Sequence, residues 1–468
     1  MMVSIETPVF KGGWLRRCID SVLQQSSSNW TFSLLWDGGD EQSRRILEEL
    51  ERERHPSISV VFAENRGIAR ARRFLTEHSR GEFILPLDDD DALPFHTVER
   101  FLAVAERKPW ASVIRGQRKI VNEDGTVLDT PPWFPFEPRH YLHGMVTDLM
   151  NHTQPYLIRR SAYERTTGWE GFQDFGFAGE DCDLYLKLEE VGTIELLNET
   201  LYYYRIHPDR ASLVLTEHGA YEMWRRLADK SIARIGLPLK RVTEQPPYLY
   251  QRLPRPPLTL EMVDFVIVAE DEQSRSHVAR LSACLKHAGV GAEAIRSVPK
   301  ADVHVVHEAV RTGRRPVVCL LDGAIETDGT ESLTALLRSM DEQNLDVAGP
   351  KLVAGDGSVV WANARFDAAA RPIGNANGDA APQGPSWMNH RFTLFRREVA
   401  NGVGGLDEGF ATLPMAMVDF SLRARQRHFA CACVAGVTTS CPEGAAPEDD
   451  AELSRLREKW GFYTYLLR

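Results

Sequence analysis

Four consecutive carboxylates, Asp88 to Asp91, are the strongest chemical signal in the sequence. They directly follow an apolar run that ends at Leu87, and Pro94 soon after them favours the start of a helix. Adjacent carboxylates repel one another, and a hard divalent cation that prefers oxygen ligands relieves this repulsion. The run therefore predicts a Mn²⁺ or Mg²⁺ site. A solvated acidic turn is the alternative.

A second acidic cluster, Glu180-Asp181-Cys182-Asp183, opens a stretch with the apolar spacing of a helix. A helix N-terminus favours the ionised form of a carboxylate, which can then accept a proton from a hydroxyl group. Asp181 is therefore the candidate general base, and Glu180 is a candidate for positioning an acceptor. A plain helix N-cap is the alternative for Asp181.

Short apolar strands and helical patterns alternate around these residues. The predicted strands are Val3–Glu6, Phe32–Trp36, Ile58–Phe62 and Glu82–Leu87, and the predicted helices are Trp14–Leu23 and Ile68–His78. This alternation indicates a parallel sheet covered by helices on both faces, in an α/β fold. Ligands bind such sheets at the carboxyl ends of the strands, where Asp37 and the acidic run both fall.

The chain of 468 residues is too long for one typical core, so we expect more than one domain. Residues 245–260 contain five prolines, which disfavour both helix and sheet. The predicted organisation is a domain over residues 1–240, a proline-rich linker over 241–262 and a second domain over 263–468.

An internal repeat relates the two halves. The segment LIRR at 157–160 corresponds to LFRR at 394–397, and a glycine-rich segment follows each copy. Asp181 and Asp419 then come at the same distance from those segments, and a helical pattern follows each aspartate. The halves therefore look like diverged copies of one fold.

Six segments of the first half resemble family 2 glycosyltransferases, which are inverting enzymes with the GT-A fold, and they occur in that family's order. The segments are Glu6–Phe10, Trp36–Gly39, Asn65–Arg72, Leu87–Asp91, Gly179–Leu184 and Tyr202–His207. Each is weak alone, but the ordered set covers about residues 3–210. The resemblance implies a Rossmann-like GT-A domain that transfers a sugar from a nucleotide-diphosphate donor to a hydroxyl acceptor.

The resemblance also implies a role for each matching residue. Asp90 and His207 would hold the metal, and Asp181 would be the base. Asp37 would accept a hydrogen bond from the nucleobase of the donor. This suits the imide N–H of uracil, and therefore a UDP-sugar. For Asp37 the alternative is a turn cap. For His207 the alternative is an ordinary loop histidine. The implied donor-binding residues are Thr7, Pro8, Asp37, Asn65, Arg72, Asp88 and Asp89.

The acceptor side is less specific. Trp133 lies in a loop of aromatic residues and prolines, over residues 130–136, which could form a platform for a sugar ring. A local hydrophobic plug explains that loop equally well. The acceptor itself stays open between a glycan, a lipid-linked sugar and another hydroxyl compound.

The second half lacks part of this pattern. Its Asp322-Gly323-Ala324 replaces Asp88-Asp89-Asp90, so an alanine stands where the metal-binding carboxylate would be. Asp419 retains the base position. We therefore predict a GT-A-like second domain without donor chemistry, which could bind the acceptor, a partner or a second protomer. The alternatives for the whole chain are a bifunctional polymerase with two transferase sites and a non-catalytic protein that binds sugar nucleotides or glycans.

Composition limits the partners and the location. The net charge of −11 argues against nucleic acid as a partner. Seven scattered cysteines suggest neither disulfides nor a zinc site, and they fit reduced thiols in the cytosol. The first strand pattern begins at Val3, which leaves no room for a signal peptide, and no apolar run is long enough for a membrane span. We expect a cytoplasmic protein, with peripheral contact to the inner face of the membrane left open.

Overall fold

The computed structural model describes residues 1–128, 155–171, 179–208, 217–245, 248–325, 327–362, 365–366, 372–373, 387–442 and 450–460. The chain divides into two compact units. The first unit comprises Met1–Ser231 and Arg241–Gln251, and the second comprises Ile232–Lys240 and Arg252–Arg468. Each unit is built on a mixed sheet with helices, so the predicted α/β class is confirmed. In the described part of the chain, no helix is both long and apolar enough to cross a membrane.

The first unit contains all four predicted strands and both predicted helices, with ends that differ by no more than three residues. The strands are β1 (Val3–Val9), β2 (Trp30–Asp37), β3 (Ile58–Ala63), β4 (Phe83–Pro86), β5 (Ala111–Val121), β6 (Tyr156–Arg159) and β7 (Thr193–Arg205). The helices are α1 (Leu15–Leu23), α2 (Glu41–Glu53), α3 (Ile68–His78), α4 (Thr97–Arg107), α5 (Arg160–Tyr163), α6 (Glu180–Val191) and α7 (Glu217–Ile235).

The sheet of the first unit has the strand order β3-β2-β1-β4-β6-β5-β7. Strands β1 to β4 are parallel, as predicted, so their carboxyl ends meet at one edge. Strand β6 runs antiparallel to both β4 and β5, and β7 is parallel to β5. The acidic run after β4 and Asp37 at the end of β2 therefore share one edge of the sheet.

Helices pack against this sheet through the apolar faces that the sequence predicts. Leu15, Cys18, Ile19 and Val22 of α1 are buried in the main core, whereas Leu23, the last residue of the predicted face, is 41 % exposed. Strand β1 is buried along its whole length. This burial fixes β1 as a rigid base for the loop that follows it.

The second unit has elements of the same kinds. Two short strands, β8 (Leu239–Arg241) and β9 (Tyr250–Arg252), precede its sheet. Its further strands are β10 (Val263–Val268), β11 (Ile295–Val298), β12 (Val317–Asp322), β13 (Val347–Val353), β14 (Val359–Trp361), β15 (Arg365–Phe366), β16 (Pro372–Ile373), β17 (Phe392–Arg396) and β18 (Cys431–Ser440). Its helices are α8 (Glu272–His287), α9 (Val303–Thr312), α10 (Glu331–Glu342), α11 (Arg397–Val403), α12 (Leu413–Gln426) and α13 (Asp450–Trp460).

The two main sheets share a topology. The order β11-β10-β12-β17-β13-β18 has the same strand directions as β2-β1-β4-β6-β5-β7, and β14 is added beside β13. Strand β3 of the first unit has no counterpart in this sheet among the described residues. The repeat in the sequence therefore corresponds to a repeated sheet from which one strand is missing.

The arginines of the repeat make equivalent contacts. Arg160 donates from Nε to the carbonyl oxygen of Gly81 at 2.5 Å, in the turn before β4. Arg397 donates from Nε to the carbonyl oxygen of Arg315 at 2.6 Å, in the turn before β12. The LIRR and LFRR segments thus anchor the same turn in each unit, which is a structural role.

Arginines anchor the proline-rich segment to the second unit. Arg252 donates to Asp346 at 2.8 and 3.2 Å, and Arg255 donates to the same carboxylate at 2.7 Å. The backbone N–H of Ala430 donates to it at 2.7 Å, and Asp346 is fully buried. The part of the predicted linker from Arg252 onwards is therefore packed into the second unit, while the predicted domain limits stay a prediction.

Replacing Asp346 with alanine should lower the free energy of unfolding by about 3–5 kcal/mol, because it leaves two arginines without their buried partner. Urea denaturation of the full chain measures the change. The exposed turn residue Asp356, replaced in the same way, should lower it by no more than about 0.5–1 kcal/mol. Equal effects of the two substitutions would contradict the anchoring role.

Candidate active site

The acidic run forms a turn at the carboxyl end of β4, and two of its four carboxylates bond to the backbone. Asp89, predicted to bind the donor, accepts hydrogen bonds from the N–H groups of Phe10 at 2.9 Å and Lys11 at 3.2 Å. Burial and the nearby charge of Asp90 raise the pKa of Asp89 to about 8. Buried Asp91 accepts from the N–H of Arg205 at 2.7 Å. These two side chains fix the turn to its neighbours.

Asp90 lies against His207, as the predicted metal site requires. Asp90 Oδ2 and His207 Nε2 are 2.9 Å apart, and the imidazole packs on the Trp14 ring with centroids 4.2 Å apart. Burial and the charge of Asp88 raise the pKa of Asp90. One carboxylate and one imidazole suit a cation that takes its other ligands from phosphate and water. Within the described ranges, no group of three or more His, Cys, Asp or Glu residues forms a ready metal site.

Arg205 is a site residue to which the sequence analysis gave no role. Its Nε donates to the carbonyl oxygen of Asp90 at 2.9 Å, and its Nη1 donates to the carbonyl oxygens of Asn122 at 2.8 Å and Glu123 at 3.0 Å. It therefore ties the end of β7 to the acidic run and to the loop after β5. Its only sequence signal is its place in the segment Tyr202–His207.

Asp37 caps the loop that leads into α3. Its two carboxylate oxygens accept from the N–H groups of Arg66 at 3.0 Å and Gly67 at 3.1 Å, and Asn65 Oδ1 also accepts from Gly67 at 3.0 Å. Gly67 has φ of 83°, a backbone conformation that favours glycine. Asp37 therefore does act as a turn cap, which was the alternative role. A carboxylate has further lone pairs, so binding a base through Asp37 stays a prediction.

Arg72, predicted to bind the donor, has its side chain directed into the protein and is only 5 % exposed. Its Nη2 donates to Asp88 Oδ1 at 2.6 Å, and its Nε lies 3.4 Å from Glu180 Oε1. Burial opposes the charge of Arg72, but Asp88 and Glu180 together raise its pKa. Arg72 therefore joins the acidic run to the first residue of α6.

The first turn of α6 carries three acidic residues in different environments. Glu180 is buried, and burial with the charge of Asp181 raises the pKa of Glu180 to about 8. Asp181 is only partly buried, and its Oδ1 accepts the N–H of Cys182 at 2.7 Å. Asp183 is buried 2.6 Å from Lys187 Nζ and is structural. Of the three, Asp181 is the carboxylate that a ligand can reach.

At the end of β1, the residue at the surface is not one of the two that were predicted to bind the donor. Thr7 and Pro8 are buried in β1, where they pair with β2. Phe10, just beyond the strand, is 47 % exposed and was not predicted as a site residue, although an aromatic residue directly after a buried strand is a usable signal. Trp133 lies outside the described residues.

The second unit has an alanine at the position of the predicted metal ligand. Strand β10 pairs with β12 in the register in which β1 pairs with β4. Asp322 then takes the place of Asp88, and Ala324 takes that of Asp90. Asp322 accepts the N–H of Ala324 at 2.9 Å. This agrees with the expectation from the sequence.

Asp419 keeps the place of Asp181 in the repeat, because each lies twelve residues before the start of the equivalent strand, β7 or β18, but its surroundings are not those of a base. Asp181 is the second residue of α6, whereas Asp419 is the seventh residue of α12 and fully buried. Its carboxylate accepts hydrogen bonds from Arg423 Nε at 2.7 Å and Trp460 Nε1 at 2.8 Å, and it pairs with Lys459 Nζ at 2.7 Å. Burial opposes ionisation, but these two cations lower the pKa of Asp419. An enclosed, neutralised carboxylate cannot take a proton from a substrate.

Comparisons with known proteins show similarity over part of this chain. The model of Glycosyl transferase family 2 matches residues 4–167. The chondroitin synthase of Escherichia coli is 25 % identical over 259 residues, which cover 54 % of this chain and 36 % of the synthase. The hyaluronan synthase of Pasteurella multocida is 27 % identical over 213 residues, covering 45 % of this chain and 21 % of that enzyme.

One solved structure extends the comparison. The chain is similar to Staphylococcus aureus TarS 1-349 in complex with UDP-GlcNAc, with 17 % identity, a TM-score of 0.40 and coverage of 50 % of this chain and 66 % of that one. That score is too low to establish a shared fold. The chain spans about a third of the chondroitin synthase and about a fifth of the hyaluronan synthase.

The parallel strand ends and the acidic run lie within the residues that the model of Glycosyl transferase family 2 matches. The expected resemblance to family 2 glycosyltransferases is confirmed over residues 4–167 of the first unit. The family match ends at residue 167, so it does not reach the second unit.

Replacing Asp419 with asparagine should leave transfer by the first unit unchanged. It should lower the free energy of unfolding by about 3–5 kcal/mol, because Lys459 and Arg423 lose their buried counter-charge. Steady-state transfer rates and urea denaturation of the full chain check the two parts. Loss of transfer with unchanged stability would instead show a second working site.

Proposed function

We propose that the first unit transfers a sugar from a nucleoside-diphosphate sugar, with inversion, to a hydroxyl group of a growing glycan. The observation that carries this proposal is the acidic turn at the end of β4. There Asp90 faces His207, and Asp88 is tied through Arg72 to the helix that bears Asp181. The residues that we propose for the donor are thus linked to the candidate base through Arg72.

The nucleoside would bind at the ends of β1 and β2. The exposed ring of Phe10 is a surface on which the nucleobase can stack. Asp37 lies at the end of the adjacent strand, β2. A carboxylate accepts the imide N–H of uracil, so the donor we propose is a UDP-sugar. Asn65 and Gly67 shape the loop beside that position.

Mn²⁺ or Mg²⁺ would be held by Asp90 and His207. The fit rests on the crowding of the run, since burial and neighbouring carboxylates raise the pKa values of Asp89 and Asp90 and a cation would relieve that repulsion. When bound, the cation would neutralise charge on the leaving diphosphate. Arg205 holds the carbonyl of Asp90 and so keeps that residue facing His207.

Asp181 would act as the general base. The acceptor oxygen forms a bond to the anomeric carbon, the bond from that carbon to the diphosphate oxygen breaks, and the hydroxyl proton passes to Asp181. One oxygen, Oδ1, accepts the N–H of Cys182, and the lone pairs that remain on the carboxylate can accept the proton. Glu180 is buried against Arg72, where it can orient an acceptor only indirectly.

The similarity to chondroitin and hyaluronan synthases favours a growing polysaccharide as the acceptor. The second unit would serve that acceptor, a partner or a second protomer, because Ala324 and the enclosed Asp419 leave it without donor chemistry. A cytoplasmic location and peripheral membrane contact stay predictions.

A panel of nucleotide sugars tests the proposal on the full chain. UDP-sugars with Mn²⁺ should raise the melting temperature and undergo slow hydrolysis to UDP, whereas GDP- and CMP-sugars should do neither. Stabilisation by a purine-nucleotide sugar alone would reject the uracil assignment, and a lack of response to every donor would reject the transferase proposal.

A further inference from the structure

Arg72 occupies a central place between the two halves of the candidate site. Its guanidinium bonds to Asp88 on one side and lies beside Glu180 on the other, at 2.6 and 3.4 Å. These carboxylates belong to the acidic turn and to the first turn of α6, which are far apart in sequence.

A buried set of hydrogen bonds supports Arg72 from behind. The guanidinium lies 5.3 Å from the centre of the Trp169 ring, within range of a cation–π contact. Trp169 Nε1 donates to Thr76 Oγ1 at 3.0 Å, and Thr76 Oγ1 donates to Glu6 Oε2 at 2.6 Å. Each donor in this series has an acceptor, so the tryptophan ring is held in one orientation.

Glu6 ends that series inside the sheet. It lies in β1 and is buried, and its other oxygen accepts from Ser79 Oγ at 2.6 Å. Arg160, the repeat arginine, donates to the same hydroxyl at 2.6 Å. The backbone of β1 and the turn before β4 thus support Trp169, and through it Arg72.

A donor-binding role conflicts with this geometry. An arginine that clamps a diphosphate needs its donors directed to the ligand, whereas Arg72 is almost completely buried and two carboxylates lie against its guanidinium. Its planar fork suits the bridging of two acidic groups, which a lysine ammonium does less well. The contacts therefore favour an internal role.

We propose that Arg72 is a positioning residue that holds the acidic turn and the N-terminus of α6 at the separation that transfer requires, with Trp169, Thr76 and Glu6 holding Arg72 in place. This inference rests on the proposed function, because the separation matters only if the turn binds the donor and Asp181 accepts the proton. Reacting groups must lie within about 3–3.5 Å, and a misplacement of about 1 Å can lower a rate about 100-fold.

Replacing Arg72 with methionine should lower kcat about 100-fold while the Kd for the donor changes less than about threefold. Arg72→Lys should recover about a tenth of the lost rate or more, because an ammonium group can still reach one of the carboxylates. Arg45→Met on α2 is the control, since Arg45 is exposed and lies outside the six matching segments, and it should leave both constants unchanged. Kd is measured by calorimetry with the donor that the wild-type protein uses.

A rise of about tenfold or more in the donor Kd with kcat preserved would show that Arg72 binds the donor, and the inference would be wrong. If Arg72→Met does not fold, as circular dichroism would show, Trp169→Phe gives the decision. That change keeps a smaller aromatic ring and removes the N–H bonded to Thr76, so kcat should fall severalfold at an unchanged donor Kd. An unchanged kcat would overturn the proposed support.

A double variant separates this inference from the proposed function. If Arg72 acts through Glu180, then Arg72→Met combined with Glu180→Gln should be no slower than the slower single variant. If the rate losses of the two single variants multiply in the double variant, the bridging role is wrong. A wild-type protein that transfers sugar from no nucleotide donor would instead reject the proposed function, whatever the variants do.

Discussion

Replacing Asp181 with asparagine is expected to lower kcat by about 10³-fold, while the donor still binds with wild-type affinity. Asparagine has nearly the same shape and keeps an oxygen that can accept the N–H of Cys182, so α6 should begin as before. It cannot accept a proton from a hydroxyl group. The loss therefore isolates the chemical step from folding and from donor binding.

Two further variants give this prediction its contrast. Asp20 is an exposed aspartate on α1, and Asp20→Asn should leave the rate unchanged. Glu180 has a pKa raised to about 8 by burial and by Asp181, which would suit a base at neutral pH. Single-turnover measurements of the Asp181→Asn and Glu180→Gln variants decide which of the two residues is the general base. An inactive Glu180→Gln beside an active Asp181→Asn would transfer the role of base to Glu180.

The strands and their ends could be predicted because local signals are strong there. Each of the first strands is a short apolar run, and Asp37 and Asp88 stand where two of those runs end. Helix α3 begins after Gly67, which supplies the positive φ that the turn needs. Side chains at the carboxyl ends of parallel strands must come together. The sequence therefore predicted which residues share this edge of the sheet.

The direction of a side chain could not be predicted in the same way. Arg72 lies on a helix with many polar residues, and only partners distant in sequence, Glu180 and Trp169, show that its side chain is buried. A basic residue near an expected diphosphate is naturally assigned to that diphosphate. The structure instead gives Arg72 two internal carboxylates.

Asp419 shows that an equivalent place in a repeat need not have an equivalent environment. The distance from the glycine-rich segment is the same as for Asp181, but α12 begins at Leu413, six residues before Asp419. Pro414 was an available signal, because proline favours the first turn of a helix. The partners that enclose the carboxylate, Lys459 and Trp460, belong to α13, which follows the repeated segments in the sequence.

Replacing Asp90 with alanine is expected to weaken Mn²⁺-dependent donor binding by about 100-fold or more, since the change removes the only carboxylate that faces His207 in the described part of the site. Removing divalent metal with EDTA should weaken donor binding of the wild-type protein to a similar extent. The two effects should not add, because the variant has already lost the metal that EDTA removes. Calorimetry with and without Mn²⁺ measures each case.

Contacts within the acidic run make this test selective. Asp89 and Asp91 bond to backbone N–H groups, so their removal should disturb the turn as well as any ligand. Asp90 has its side chain directed to His207, and Asp90→Ala leaves those other contacts in place. His207→Ala should therefore reproduce the loss of metal dependence. Donor affinity that stays equally dependent on Mn²⁺ in both variants would show that the metal, if it binds, is held elsewhere.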